Sequence, residues 1–320
     1  MKPIITLTLN PSVDKSTAVS HVVPDRKLRC TAVRLEPGGG GINVARAISR
    51  LGEPAIAVYI RGGTNGDRIE ALLRAEEVMT RPIPISGECR ESLMIHETET
   101  GQQYRFSFPG PALVRAEWSA CLAAVDELSR GSDYIVASGS LPPDVPDDFY
   151  VRLHRTASNR GVRMILDTSG SALAAPGEQP VFLIKPNLRE FESLVGHSLV
   201  DDREIEVAAR RIIDSGIAEH LVVSMGAAGV AYATSSTFER IPAPTVRIES
   251  RVGAGDSTVA GIATGLARGL PVAEAVRLGV AAGAAAVMTA GSELCRRENV
   301  DALYRGMAKR GPSGSVAPAA

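Results

Sequence analysis

Short runs of branched aliphatic residues recur along this chain, each followed by a stretch whose apolar positions have helical spacing. Alternation of this kind admits few folds. Each strand must find a parallel neighbour through a right-handed helical crossover, so the chain winds into a parallel sheet covered by helices. The strand-like runs fall at 4–9, 55–60, 134–137, 163–166, 181–184 and 221–224. Helical segments are expected at 42–51, 67–76, 116–129, 147–158, from 188 onward, 201–215, 255–268, 272–289 and 300–309, with two further short strands at 230–233 and 238–241. The apolar share is 44%, yet only 4% is aromatic. Ala, Val, Leu and Ile therefore make the core, which suits helices packed on a buried parallel sheet.

Two stretches break the rhythm. Residues 17–23 and 28–35 read as strands around Pro24-Asp25-Arg26, and residues 91–108 read as a hairpin about Glu99-Thr100-Gly101. These make a small antiparallel sheet that protrudes from the main body. A small sheet alone cannot bury both faces, so this one is expected to cover a cleft, pair with a second copy, or do both. The expected organisation is one three-layer α/β domain over 1–310, with a lid from 15–36 and 90–108. The Gly/Pro/Ser/Ala-rich tail at 311–320 is expected to be disordered.

Several function classes fall away. Thirty-five Lys and Arg balance 36 Asp and Glu, which argues against a nucleic-acid partner. No apolar run reaches membrane-spanning length, and the opening residues read as a strand rather than a secretory leader. Four separated cysteines and five scattered histidines match no metal or redox spacing, and a reduced cytoplasmic setting is the expectation.

Chemistry concentrates in a few turns. In Arg251-Val252-Gly253-Ala254-Gly255-Asp256-Ser257, glycines break the chain just before a helix. The first N–H groups of a helix have no internal acceptors and hold anions well. Asp256 places a base at the same spot, a pairing that suits phosphoryl transfer to an alcohol. Gly38 to Gly41 precede another helix, and four consecutive glycines point to close approach rather than a mere linker; Asn43 follows in the first turn, as a hydroxyl partner or a cap. Lys27, Arg90 and Arg105 lie in or beside the extra sheet. Singly they read as solvated strand cations; together on a lid they form a phosphate clamp. Asn187 and Glu190 stand one helical turn apart, equally fit for a hydrated Mg²⁺ or a capping box. Lys185 precedes them, and Ser224-Met225-Gly226-Ala227-Ala228-Gly229 follows a strand as a turn able to wrap a nucleotide. Asp14, Ser138-Gly139-Ser140, Asp167, Lys185, Ser224 and Asp256 all follow strand-like runs, so one sheet edge could collect them.

These motifs in this order resemble the ribokinase-like (PfkB) sugar kinases. The resemblance runs from Ile5 to about Arg297 and rests on the segment Glu36 to Ala47, on Lys185 to Glu190, and on Val252 to Ser257. Thr6 to Asp14, Arg26 to Thr31, Gln103 to Phe106 and Ser138 to Pro143 are similar to the phosphosugar branch of that family. The resemblance implies a ribokinase-like fold with a β-sheet lid through which two copies pair. It implies ATP-dependent phosphorylation of fructose 6-phosphate at the 1-hydroxyl. Phosphorylation of fructose 1-phosphate or tagatose 6-phosphate is the alternative, ahead of a free-sugar or nucleoside kinase or a non-catalytic sugar-phosphate binder. By the same resemblance Asp256 is the base, and the amides of Gly253, Ala254 and Gly255 stabilise the moving phosphoryl group. Asp14, Gly39 and Asn43 hold sugar hydroxyls, while Lys27, Arg90, Arg105 and Ser140 bind the existing phosphate. Lys185, Asn187, Ser224, Gly226 and Gly229 line the ATP site, and Glu190 organises Mg²⁺. A K⁺ site is implied at Ser250, Val252, Ala286 and Gly291; Thr289 and Glu293 stand beside it where close relatives can carry Asn and Arg.

Overall fold

The computed structural model describes residues 1–174, 177, 179–289 and 293–308. In chain order, β1 (Ile4–Thr8) leads to β2 (Ser12–Val19), β3 (Arg34–Gly38), α1 (Gly40–Arg50), β4 (Ala55–Arg61), α2 (Gly63–Ala75) and β5 (Met79–Pro84). Next come β6 (Arg90–Glu97), β7 (Gln103–Ser107), α3 (Arg115–Ser129), β8 (Tyr134–Ser138), α4 (Phe149–Ser158), β9 (Arg163–Asp167) and α5 (Ser171–Ala174). Then follow β10 (Val181–Ile184), α6 (Leu188–Val195), α7 (Asp202–Asp214), β11 (Ala218–Ser224), β12 (Val230–Ala233) and β13 (Phe238–Ile241). Three helices end the described chain: α8 (Ala254–Ala267), α9 (Val272–Ala286) and α10 (Arg297–Ala308).

Among the described residues the main sheet has nine strands in the order β13-β12-β11-β10-β9-β8-β1-β4-β5. Pairing is parallel from β11 to β5, and β12 and β13 close one edge antiparallel. The strands alternate their side chains between two cores, as the period of two requires. Ile4, Val136 and Val222 pack with α1, α8 and α9 on one face, and Ile5, Ile135 and Val223 pack with α3, α4 and α7 on the other. The result is the three-layer α/β architecture that the alternation predicts. No helix among the described residues is long and apolar enough to cross a membrane.

α8 and α9 meet along small residues. A Cβ on Gly261 would fall 2.7 Å from the Gly279 Cα, and one on Gly265 would fall 2.8 Å from the Ala275 Cα. The helices therefore touch backbone to backbone, and at the start of α8 a Cβ on Gly283 of α9 would fall 3.2 Å from the Ala254 carbonyl.

The second sheet has the order β3-β2-β6-β7. Its strands differ from the expected ones. β2 begins five residues earlier than expected, and the span 20–33 contains no strand. Pro24 and Asp25 are not the tip of a tight hairpin. The loop is tied down instead by the Val22 N–H donating to Glu97 (2.7 Å) and the Thr31 N–H donating to the Ala18 carbonyl (2.9 Å). The β2–β6 pair is parallel, so the sheet is mixed rather than antiparallel. β5 was not expected at all, because Pro82 and Pro84 argue against a strand. At the sheet edge, where one side of the backbone has no neighbour, prolines are tolerated. The tail at 311–320 lies outside the described residues.

Candidate active site

β1 is the switch point of the main sheet: β4 and β5 extend to one side and β8 to β13 to the other. Ligands of such sheets bind outside the carboxyl ends of the strands at that crevice. A cleft of about 480 Å³ lies there, bounded by Asp14, Gly39, Asn43, Ser140, Asp167, Glu190, Val252, Gly253 and Asp256. The lid closes its far side. Strand register places Glu36, Asp14, Ser92 and Ser107 in one row across the second sheet, and Ser16, Met94 and Arg105 in the next row of that face. Asp14, Arg90, Ser92, Arg105 and Ser107 all line the cleft, so this is the lid's inner face.

The glycine run is tight against the protein itself. A Cβ on Gly38 would collide with the Asp14 carboxylate at 2.3 Å, one on Gly40 with the Ser138 Oγ at 2.2 Å, and one on Gly41 with the Leu7 carbonyl at 2.4 Å. Gly39 has φ of +113°, a conformation that favours glycine. Close approach is indeed its task, but the approach is of α1 to the ends of β1 and β8. That brings Asn43 over Asp256, to which its Nδ2 donates at 2.9 Å.

Gly253, at φ of +76°, caps α8 in the left-handed conformation. The Ser257 N–H makes the first helical bond, to the Gly253 carbonyl at 2.8 Å. The amides of Ala254, Gly255 and Asp256 precede it and have no intrahelical acceptor. Burial pushes the Asp256 carboxyl up to about 6, and the nearby Asp167 adds to this; the Asn43 amide and Lys185 pull the other way. Burial also raises Asp14, against the Ser12 hydroxyl bound to it at 2.6 Å and the Arg90 and Arg105 cations. Burial lowers Arg90, while Asp14 opposes that shift.

Asp167 is a site residue that reading the chain alone did not single out for a role. It ends β9 and pairs with Lys185, which follows β10, at 3.0 Å. Burial alone would lower Lys185, but Asp167, Glu190 and Asp256 together hold it above the ordinary lysine value. Its position after a strand was the available signal; its pairing with the lysine of the neighbouring strand was not visible in the sequence. Ser92, Ser107 and Thr168, also in the cleft wall, carry no motif, whereas Ser12 and Ser138 there belong to segments already singled out.

Other expected residues are placed as follows. Ser140 receives the Asn10 amide at 3.1 Å, and Arg90 holds the Asn10 carbonyl and the Ser107 hydroxyl. Lys27 does not join them: it is exposed in the 20–33 loop and does not line the cleft. Asn187 and Glu190 form a reciprocal capping box on α6, with bonds of 3.0 and 2.8 Å, and Glu190 also faces the cleft. Burial raises the Glu190 carboxyl. Ser224 bridges to Asn187 in parallel, and Gly226 and Gly229 flank the turn into β12; none of these lines the cleft, and they lie along the neighbouring strand end. Ser250 and Val252 come beside the end of α9: the Ser250 N–H meets the Val287 carbonyl, and the Ala286 carbonyl accepts from the Thr289 hydroxyl. Gly291 lies outside the described residues. The charge of Glu293 is matched by Arg296 at 2.6 Å.

A helix N-terminus, a half-buried aspartate in its first turn and two lid arginines bound one cleft, the set of groups a phosphotransferase acting on an anionic acceptor requires. The family model described as pfkB family carbohydrate kinase matches residues 7–299, and the chain belongs to that family. It is 43% identical over 301 residues to the ATP-dependent 6-phosphofructokinase isozyme 2 of Mycobacterium tuberculosis, covering 94% of this chain and 88% of the relative. It is 33% identical over 300 residues to the 1-phosphofructokinase of Bacillus subtilis, covering 94% and 97%. Crystal structures of Escherichia coli phosphofructokinase-2, one in complex with potassium and one with fructose-6-phosphate, match with TM-scores of 0.92 and 0.90. Both are 39% identical, covering 96% of this chain and 100% of theirs.

Proposed function

We propose that this chain transfers the γ-phosphoryl group of ATP to the 1-hydroxyl of fructose 6-phosphate. The observation that carries the reading is the span of the cleft: Arg90 and Arg105 on the lid at one end, Asp256 and the start of α8 at the other. A sugar that already bears a phosphate fits that polarity, whereas a free sugar would leave two lid cations balanced by the single nearby carboxyl of Asp14. The names of the relatives support it, with phosphorylation of fructose 1-phosphate or tagatose 6-phosphate as the second reading, favoured by the 1-phosphofructokinase match.

In this reading Asp14, Gly39 and Asn43 hold the sugar hydroxyls, and Arg90, Arg105 and Ser140 hold its phosphate. Asp256 takes the hydroxyl proton as the new O–P bond forms and the bond to ADP breaks. Its elevated value lets it accept that proton near neutral pH while still being ionised beforehand. The amides of Gly253, Ala254 and Gly255 face the charge that develops on the phosphoryl oxygens. Lys185, Asn187, Ser224, Gly226 and Gly229 lie on the nucleotide side. The cleft's carboxylates, Glu190 and Asp167, are hard oxygen donors that fit a hydrated Mg²⁺, whereas Asn187 gives its oxygen to the helix cap. When bound, Mg²⁺ would offset phosphate charge. Ser250, Val252 and Ala286 are assigned to a K⁺ beside α8; Gly291, the remaining residue of that expectation, is outside the described residues.

Residues 1–310 act as one kinase unit in this reading, in the cytoplasm. The lid's outer face carries Leu35, Leu93 and Phe106 in one cross-strand row with Lys15, and Leu35 and Phe106 are exposed. That half-apolar surface supports a homodimer formed lid to lid, and sedimentation at low concentration tests it: a stable active monomer sinks it.

The deciding experiment is ADP release with MgATP and KCl, comparing fructose 6-phosphate, fructose 1-phosphate, tagatose 6-phosphate, ribose and adenosine by kcat/KM. Fructose 6-phosphate should lead. Arg105→Ala should raise KM for the phosphosugar far more than for a free sugar. Activity confined to a free sugar or nucleoside would overturn the clamp.

A further inference from the structure

Arg46 stands in the middle of α1 and is only 1% exposed, which is rare for a residue whose charge is costly to bury. Its guanidinium is fully engaged. Nε and Nη2 grip the Glu76 carboxylate at 2.6 to 3.1 Å, and Glu36 lies 3.6 Å from Nη2. Nη1 directs one proton to the Pro37 carbonyl at 3.1 Å and the other to the Asn43 Oδ1 at 3.2 Å. The last of these bonds reaches the active site. Asn43 is one helical turn earlier on the same face, and its other amide atom, Nδ2, donates to the Asp256 Oδ2 at 2.9 Å.

An asparagine amide presents a donor and an acceptor that exchange places when it flips. Arg46 has only donors, so it accepts one orientation of Asn43 and rejects the other. We propose that Arg46 is a positioning residue of the phosphotransfer reaction: it fixes the Asn43 amide so that Nδ2, and never Oδ1, faces Asp256. This rests on the reading of Asp256 as the base. Glu76, at the end of α2, anchors the guanidinium and Arg50 shares that carboxylate, so the relay runs Glu76, Arg46, Asn43, Asp256 across three helices.

The consequence is specific. The groups around Asp256 are Asn43 from α1, Asp14 from β2, Asp167 from β9 and Lys185 after β10. The Asn43 bond favours the ionised carboxylate. Freed from Arg46, the amide no longer holds its donor in place, the carboxylate binds its proton more tightly, and the acid limb of kcat moves to higher pH. A residue that only ties α1 to α2 would lower activity or melting temperature alike at every pH.

The test is kcat against pH at saturating MgATP and phosphosugar, for wild type, Arg46→Lys, Asn43→Ala and the double variant. Lysine keeps a charge for Glu76 but lacks the fork that reaches Pro37, Asn43 and Glu76 together. The acid limb should rise by about one pH unit in Arg46→Lys, as for loss of one charged hydrogen bond, equally in Asn43→Ala, and no further in the double variant. An unmoved limb in Arg46→Lys, or shifts that add in the double variant, would overturn the proposal. Should Arg46→Lys fail to fold, Glu76→Gln loosens the same guanidinium from a more exposed position and should shift the limb in the same direction by less; no shift there overturns it too. Asp256→Asn separates the two ideas: full turnover in that variant refutes the base reading itself, whatever Arg46 does.

Discussion

Replacing Asp256 by asparagine should cost nearly all activity and yet stabilise the protein at neutral pH. The carboxyl protonates at about 6 in the fold, against about 3.9 in an unfolded chain. A folded value raised above the unfolded one means that the native state binds the proton more tightly. Wild-type stability is therefore greatest below about pH 4 and falls as pH rises towards 6, beyond which the whole penalty stands. Two units correspond to roughly 3 kcal/mol, and water at the cleft mouth reduces this to about 1–3 kcal/mol. Asparagine is isosteric and never charges; it can turn its oxygen towards the Asn43 donor. The variant should thus match wild type at about pH 3.5 or below and exceed it at about pH 7.5, while turnover falls by about 10²–10⁴ for a lost general base. Denaturant unfolding at the two pH values, beside ADP release, measures both. A stability difference that does not grow with pH would refute the electrostatic reasoning, and near wild-type turnover would refute the role of the carboxylate.

Lys185→Met removes the partner of Asp167 from a site where the lysine is 3% exposed. Breaking a buried pair should cost about 3–5 kcal/mol in denaturant unfolding, and adding Asp167→Asn should recover part of it; a double variant no more stable than the single would contradict this account. The Gly40→Ala methyl would strike Ser138, forcing α1 off β8 at a cost of about 1–3 kcal/mol. Thermal melting checks that value, and an unchanged midpoint would show that the helix has room to move.

The sequence carries its main sheet openly because buried parallel strands are continuous aliphatic runs, as in Ile135 to Ala137 or Leu221 to Val223. It carries the two glycine turns openly too, since few other sequences allow such close backbone approach. The lid was harder. Its inner face is polar and its outer face half-exposed, so the alternation that marks β2 and β6 is weak, and Pro24-Asp25 imitated a hairpin turn inside a loop. That displacement leaves Lys27 in an exposed loop rather than on a lid strand, outside the lining of the cleft. The tasks of Asp167, legible only as a residue after a strand, and of Arg46 were hidden for another reason: each acts through a partner distant in sequence, Lys185 in one case and Glu76 in the other. The capping box of Asn187 and Glu190 shows the opposite difficulty, one short pattern serving local helix chemistry and facing the cleft as well.

The close seam between α8 and α9 has an entropic meaning. Glycine and alanine have no side-chain rotamers to lose, so bringing these helices together freezes almost no torsional freedom beyond the backbone itself. The same absence leaves little along the α9-facing side of α8 that could relax by rotating. Donor groups mounted on such a floor keep their directions when charge appears in front of them, and the energy of reorganisation that a softer support would dissipate stays available to the reaction.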